Sequence, residues 1–194
     1  MQITNQFEVA QPMEAVWDFF GNVPQVAACL PGTELTDELG DDRYGGTVSI
    51  GLGPIKLDFD GGAEITHRDE DARTISVAAS GADRKGRGQA TLELNASLAE
   101  AAGGTAVEVA MDLQLSGPAA QYGRGLVSDI TAVLLGDFAA NAQNRLAAIA
   151  AGRDPDEVGQ AQSAGGAAIG VRAAQKGLAR VVRRFVMPYR PEAV

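Results

Sequence analysis

The chain has 194 residues, of which 45% are apolar and 21% are charged. This composition is typical of one globular domain with an extension, and it disfavours a disordered chain, collagen or a membrane-spanning bundle. The single cysteine, Cys29, excludes an internal disulfide and a zinc site built from several cysteines. The first residues have neither the basic flank nor the apolar stretch of a signal peptide, so we expect a cytoplasmic protein.

The charge is distributed unevenly along the chain. Residues 1–164 contain 10 Lys and Arg against 24 Asp and Glu, whereas residues 165–194 contain six basic residues and one acid. An acidic body argues against nucleic-acid binding, because phosphate contacts need a cationic face. The basic C-terminal segment indicates contact with an anionic surface.

The first elements are a strand around residues 2–10 and two short helices. Pro12 suits the start of the first helix, which ends near Gly21, and residues 23–30 form the second. Strict alternation of apolar and polar residues follows, which is typical of strands with one dry face and one wet face. The alternating segments are 48–52, 55–65, 75–79, 89–98 and 107–115. Gly61 and Gly62 interrupt the second of them and indicate a bulge or a bend.

One long helix is predicted over residues 118–151, where apolar residues recur at helical spacing from Leu126 and Ile130 to Phe138, Leu146 and Ile149. The sequence therefore predicts an α+β fold in which a curved antiparallel sheet of about seven strands and one long C-terminal helix bury each other. Small residues recur at inward positions of the strands, namely Ala63, Ala79, Ala90 and Ala96. They fit either close helix packing on a curved sheet or an apolar ligand cavity.

The segment after the helix differs in composition. Residues 152–168 are small and polar and predict a flexible linker between a 1–151 domain and a basic amphipathic helix over 169–190. The tail residues predicted to meet a membrane surface are Arg172, Lys176, Leu178, Arg180, Val181, Val182, Arg183, Arg184 and Phe185. Docking on a protein partner or on the body, and a disordered tail, remain alternatives.

No catalytic residue and no metal site are predicted. His67 is the only histidine, and no ligand spacing accompanies it. Cys29 has no cationic neighbour in sequence and is interpreted as a buried small apolar residue. Asp58, Asp60 and Glu64 lie on the wet face of their strand, where carboxylates are solvated.

Four glycine-punctuated strings carry a family resemblance: CLPGTELTD (29–37), GLGPIKLDFDGGAEI (51–65), GADRKGRGQA (81–90) and LSGPAAQYGRG (115–125). Together with the VWDFF helix, they make residues 1–150 similar to the CoxG family of carbon monoxide dehydrogenase subunits. The resemblance implies the helix-grip, START-like fold of the SRPBCC superfamily, whose members bind lipids and other apolar ligands or act as polyketide cyclases.

The resemblance also implies a function. CoxG-type proteins are regarded as non-catalytic accessory factors of aerobic molybdenum–copper carbon monoxide dehydrogenase, or of related molybdenum hydroxylases, that recruit the enzyme to the membrane or carry a quinone. We therefore expect no covalently bound cofactor, a non-covalent quinone (menaquinone or ubiquinone), and peripheral association with the inner face of the cell membrane. The alternatives are an adaptor without a ligand and a polyketide cyclase-like enzyme.

The expected quinone cavity lies between the sheet and the long helix, where inward apolar positions would enclose an isoprenoid tail. The residues predicted to line it are Val48, Ile50, Leu57, Phe59, Ala90, Leu92, Leu94, Val109, Met111, Tyr122, Leu126, Ile130, Val133 and Leu134.

Overall fold

The computed structural model describes residues 1–52 and 55–158, without the side chains of residues 52, 55 and 122–124. Its strands are β1 (Gln2–Val9), β2 (Thr33–Gly40), β3 (Arg43–Leu52), β4 (Ile55–Asp69), β5 (Thr74–Asp83), β6 (Gln89–Ala101) and β7 (Gly104–Leu115). They form one antiparallel sheet in the order β1-β7-β6-β5-β4-β3-β2. Each strand after β2 pairs with the one before it, and β1 closes the other edge against β7, so the predicted seven-strand antiparallel sheet is confirmed.

Two short helices, α1 (Met13–Gly21) and α2 (Val23–Cys29), connect β1 to β2 as predicted. Asn22 lies between the two helices. Its Oδ1 accepts a hydrogen bond of 3.2 Å from the backbone N–H of Gln25, which caps the N-terminus of α2. The connection thus turns without leaving the first turn of α2 uncapped.

The long helix α3 (Gly123–Ala150) begins later than the predicted residue 118. Residues Gly117–Tyr122 form a 3₁₀ helix instead. The backbone N–H groups of Ser116 and Ala119 donate to the carbonyls of Gln89 and Arg87, at 2.9 and 3.0 Å. Since these two N–H groups bond to the β5–β6 turn and to the first residue of β6, the segment before α3 is attached to the sheet.

A row of paired glycines lets the sheet curl around α3. Gly46, Gly61 and Gly81 lie directly opposite one another on β3, β4 and β5. A Cβ atom at Gly61 would overlap the carbonyl oxygen of Ser80, so the two strands approach more closely there than any side chain allows. Pairing through Gly61 and Gly62 is unbroken on both sides, so the expected bulge does not lie there; the register shift lies further along β4, between Ile65 and His67.

The densest part of the core surrounds the C-terminal half of α3. Phe138 is buried, and its ring meets the rings of Phe7 and Phe20 at centroid distances of 5.8 and 6.0 Å. Val16 of α1 and Val107 of β7 are completely buried in the same cluster. Both short helices and the β1 edge of the sheet are therefore packed on this half of α3.

The buried face of α3 includes two polar residues that the apolar spacing did not indicate. Asn141 donates a hydrogen bond of 3.0 Å to the carbonyl of Cys29, and Arg145 donates from Nε and Nη2 to Oε1 of Gln25, at 2.9 and 2.6 Å. These bonds fasten α2 to α3. Ile149, predicted to continue the apolar face, is instead 46% exposed, whereas the adjacent Ala148 is fully buried, so the buried face of α3 passes through residue 148 and not 149.

The first residues of the predicted linker fold back on α3. Residues Pro155–Glu157 form a 3₁₀ helix, and Asp156 pairs with the buried guanidinium of Arg145. The rest of the predicted linker and the whole predicted tail helix, 169–190, lie outside the described residues. Within the described ranges, none of the helices is long and apolar enough to cross a membrane.

Candidate functional site

The candidate site is the concave face of the sheet under the N-terminal half of α3. Strand register places the inward side chains in rows that run across the sheet. Leu92 on β6 lies between Ala79 on β5 and Leu113 on β7, and Leu94 lies between Val77 and Met111. The concave face is therefore apolar at its centre.

Burial changes along this face. On β6, Ala96 and Leu98 are only 4% and 5% exposed, whereas Leu92 and Leu94 are half-buried. On β5, Ile75 is buried and Val77 is half-buried. Side chains at the centre of a sheet lying under a helix are normally fully buried. Their partial exposure indicates that packing between α3 and the sheet is less dense here than around Ala96 and Leu98.

A second packed region lies beyond the half-buried stretch, toward the start of α3. Leu57 and Phe59 on β4 pack with Ala119 of the 3₁₀ helix, and Ile50 and Ala90 border this cluster. Ile130 and Val133 of α3 also pack against Ile50, with Leu134 beside them. The half-buried stretch therefore lies between two packed regions, as the interior of a ligand site would.

Several residues at the same level of the sheet have small side chains or none. Ala63 on β4 pairs with Ala79 on β5, and Gly61 pairs with Gly81 one row away. Larger apolar residues surround them and are themselves only half-buried: Ile65, Val77, Val127 and Leu135. These four were not among the predicted lining residues, although Ile65 and Val77 share the dry parity of their strands.

The predicted lining residues fall into three groups. Those on the sheet all face the concave side: Val48, Ile50, Leu57, Phe59, Ala90, Leu92, Leu94, Val109 and Met111. On α3, Ile130 and Val133 are buried and Leu134 is half-buried, while Leu126 is 39% exposed. The side chain of Tyr122 lies outside the described part. Contact of any of these residues with a ligand stays a prediction.

Val109 and Met111 differ from the others in their surroundings. Both are buried in the densely packed cluster around Phe138. The half-buried stretch starts next to Met111, at Leu94 and Leu113. The parity of a strand position correctly predicts on which face of the sheet its side chain lies. It does not predict the position along the strand at which dense packing ends.

The side chains that could take part in chemistry either lie away from the half-buried stretch or are unreactive. His67 is exposed beside the β4 bulge. Cys29 is fully buried, and burial raises the pKa of its thiol to about 11, although the Arg145 charge acts in the opposite direction. In the part of the chain that the structure describes, no three His, Cys, Asp or Glu side chains come together as a set of metal ligands.

Two of the three carboxylates on the wet face of β4, Asp58 and Asp60, are engaged with neighbours. Asp58 accepts a hydrogen bond of 2.6 Å from Oγ of Ser49 and lies 3.2 Å from Nζ of Lys56. The bond from Ser49, followed by that from Lys56, lowers the pKa of Asp58. An ionised carboxylate held in this way accepts hydrogen bonds and does not supply protons near neutral pH.

Asp83 is a buried carboxylate that sequence reasoning missed. It ends β5, and its side chain has no exposed surface. It accepts from Nε and Nη2 of Arg87 at 2.8 and 2.7 Å, and from the backbone N–H groups of Asp58, Lys85 and Arg87 at 3.0–3.2 Å. The Arg87 guanidinium above all holds the pKa of Asp83 far below its usual range. The residue fixes the β5–β6 turn against the start of β4.

We expect Asp83→Asn to lower the urea midpoint of unfolding near neutral pH, because the amide cannot accept both guanidinium bonds. The folded-state pKa is depressed, so the contribution of Asp83 is complete above its unfolded pKa and is lost as pH falls. The difference in midpoint between the two proteins should be constant from about pH 7 to about pH 5 and narrow below about pH 4. Asp71→Asn, at an exposed turn, is the control. A difference that is unchanged at acid pH would contradict this account.

A seven-stranded sheet curled around one long helix, with two short helices after the first strand, defines a helix-grip protein. Solved structures share this architecture, including a conserved protein from Geobacillus kaustophilus (20% identity, 76% of this chain and 95% of that chain, TM-score 0.68). Others are the Zhui aromatase/cyclase from Streptomyces sp. R1128 (13%, 75% and 95%, 0.53) and a protein from Thermus thermophilus (13%, 73% and 97%, 0.53). At these identities the likeness shows the fold alone. The curated proteins contain no match to the chain.

The chain belongs to the CoxG family of carbon monoxide dehydrogenase subunits, whose sequence pattern matches residues 6–147. This confirms the family resemblance carried by the four glycine-punctuated strings. The family description names a component of carbon monoxide dehydrogenase, and the match spans the sheet and most of α3 but ends before the predicted linker and tail.

Proposed function

We propose that this protein is a non-catalytic accessory protein of aerobic molybdenum–copper carbon monoxide dehydrogenase, or of a related molybdenum hydroxylase, and that it carries a respiratory quinone between the sheet and α3. The observation that carries the proposal is the half-buried apolar stretch around Leu92 and Leu94, enclosed by packed regions on both sides. Family membership supports the choice of enzyme partner.

The physical argument concerns the isoprenoid tail of the quinone. Each CH₂ group removed from water contributes about 0.8 kcal/mol, so a long tail has a large affinity for a dry interior. Among the residues that the structure describes, the proposed lining around Val77, Ala79 and Leu135 is apolar. Such a lining holds a quinone by burial alone and releases it to another apolar site without chemistry, which suits a carrier of menaquinone or ubiquinone.

The membrane part of the proposal depends on the basic tail. Residues 169–190 would lie on the inner face of the cell membrane, with Arg172, Lys176 and Arg180 toward anionic headgroups. Basic residues near such a surface contribute about 1 kcal/mol each, so the attachment is reversible and weakens with salt. The carrier body would thereby stay close to the bilayer that holds the quinone pool.

The experiment that tests the carrier function is organic extraction and mass spectrometry of the full chain purified from cells that make quinone. We expect a quinone at a substantial fraction of one equivalent per protein, and reloading of the stripped protein from detergent micelles at micromolar quinone. A protein that neither retains a quinone nor takes one up would leave the adaptor alternative, in which the body binds the dehydrogenase and no ligand enters.

The tail is tested by co-sedimentation with phosphatidylglycerol vesicles. The full chain should sediment at low salt, and a chain ending at Val158 should not. Ending at Val158 rather than at Gly152 keeps Asp156, which pairs with Arg145. Equal sedimentation of the two chains would show that the tail does not hold the protein on the membrane.

An enzyme like the Streptomyces aromatase/cyclase is the second candidate, favoured only by the common fold. Acid–base catalysis needs a titratable group beside the substrate. The polar side chains that α3 buries, Asn141 and Arg145, are bonded to Cys29 and Gln25 at the densely packed end. The described lining is apolar instead, which supports the carrier.

A further inference from the structure

Tyr44 brings a polar group to the concave face of the sheet. It shares the parity of Val48 and Ile50 on β3, and it pairs directly with Ala63 on β4. Directly paired residues of an antiparallel sheet lie on the same face, with their Cβ atoms about 5 Å apart. The phenol of Tyr44 is therefore placed on the face proposed to hold the ligand, beside a residue too small to cover its ring.

Tyr44 belongs to a row of paired residues that crosses the sheet at the level of the half-buried stretch. From Tyr44 the row continues on the next four strands with Ala63, Ala79, Leu92 and Leu113. Every one of these five residues is half-buried. Neighbouring strands are about 4.8 Å apart, so the row spans roughly 19 Å from β3 to β7. It therefore combines a polar group at β3 with apolar side chains on the other four strands.

The hydroxyl of Tyr44 has no hydrogen-bond partner among the residues that the structure describes. It is also not one of their fully buried polar atoms without a partner, so its oxygen is in contact with solvent. Glu38, the residue opposite Tyr44 on β2, is exposed and is not bonded to it. Because a tyrosine hydroxyl both donates and accepts hydrogen bonds, this group is available to bond to a ligand.

We infer that the Tyr44 hydroxyl donates a hydrogen bond to a carbonyl oxygen of the quinone head group, which places the head group at β3 and the isoprenoid tail along the row toward β7. The inference rests on the proposed carrier function. A quinone carbonyl loses its hydrogen bonds to water when it enters an apolar interior, and an acceptor left there without a donor is unfavourable. A tyrosine has an apolar ring and a polar tip, which suits the boundary between head group and tail. One neutral hydrogen bond orients the head group and still permits release.

Tyr44→Phe removes the hydroxyl and keeps the ring. In the full chain it should raise the quinone concentration needed for half loading from detergent micelles about three- to tenfold, as expected for one neutral hydrogen bond. Loading of squalene, an isoprenoid hydrocarbon without carbonyl groups, should not change. The urea midpoint should also be unchanged, because the hydroxyl bonds to no described residue. Thr47→Val is the matched control, since it removes a hydroxyl from the opposite face of β3, and it should alter neither loading.

The carbonyl stretch of the bound quinone reports the contact directly. A hydrogen bond to the oxygen weakens the C=O bond, so the infrared band of quinone labelled with ¹³C at its carbonyl carbons should lie at lower frequency in the protein than in hexane. Tyr44→Phe should return this band toward its position in hexane, and Thr47→Val should leave it in place. A tyrosine that only packs against the ligand would not change the band in this way.

Three outcomes would overturn the role of Tyr44: quinone loading by Tyr44→Phe that equals that of the unmodified protein, a carbonyl band that the substitution does not move, or equal losses of quinone and squalene loading. The last result would show that the substitution disturbs packing and not a bond to the head group. In all three the unmodified protein takes up quinone, so the carrier function would stand. An unmodified protein that takes up no quinone would refute the carrier function, and the Tyr44 contact with it.

Discussion

Ala79→Phe should reduce quinone loading at least about tenfold, which corresponds to about 1.4 kcal/mol of binding free energy. Ala79 lies at the centre of the concave face, between Ala63 and Leu92, where the ligand space is proposed. A phenyl ring at this position would occupy the volume proposed for the isoprenoid tail. Overpacking a dense core typically costs about 1–3 kcal/mol of unfolding free energy, and filling the proposed ligand space should cost no more than that.

Ala78→Phe is the matched control for this variant. Ala78 is the preceding residue on the same strand, and it faces the convex side of the sheet between Glu64 and Glu93. The same increase in volume there does not reach the proposed cavity. Loading is measured as quinone bound per protein after incubation with micelles, and folding as the urea midpoint. Full loading by Ala79→Phe, or equal losses in both variants, would mean that the ligand is not held at this level of the sheet.

Leu146→Ala should lower the free energy of unfolding by about 2–5 kcal/mol, the range found when a buried leucine is truncated in a packed core. Leu146 is 3% exposed and packs in the cluster that joins α3 to β1 and α1. The surrounding side chains cannot move in to fill the cavity left behind, because Phe138 and Ala142 are packed in the same cluster. Urea unfolding followed by circular dichroism measures the loss.

Leu126→Ala is the same substitution on the same helix at a position that is 39% exposed. It should cost less than about 1 kcal/mol, since little apolar area is removed from burial. If the two variants were equally destabilised, the N-terminal half of α3 would be as tightly packed as the C-terminal half. That result would remove the structural basis for a ligand space between α3 and the sheet.

The sequence predicted β1 and β3–β7 and their dry faces because alternation is a local property, whereas no segment was assigned to β2. The inward parity of Leu92 and Leu94, and of Leu57 and Phe59, follows from a two-residue repeat that pairing across the sheet leaves unchanged. The register of the hairpins then aligned these residues in rows as expected. The short helices were equally predictable from Pro12 and from the apolar run that follows it.

The polar contacts that join distant segments could not be predicted. Arg145 is buried because α2 and the residues after α3 supply Gln25 and Asp156 as partners, and nothing near residue 145 in sequence indicates either. Asp83 is buried because the start of β4 supplies the Asp58 amide and the β5–β6 turn supplies the Arg87 guanidinium as its partners. A polar residue within a helical or turn pattern is ordinarily interpreted as exposed, and only its partners reverse that interpretation.

By itself, the sequence determined the class of fold, the family and the apolar character of the interior, since these depend on residue patterns that local geometry converts directly into faces. Only the tertiary structure decided which inward apolar side chains are fully buried and which, like Leu92 and Leu94, are half-buried, because burial depends on neighbours from several segments that are distant in sequence.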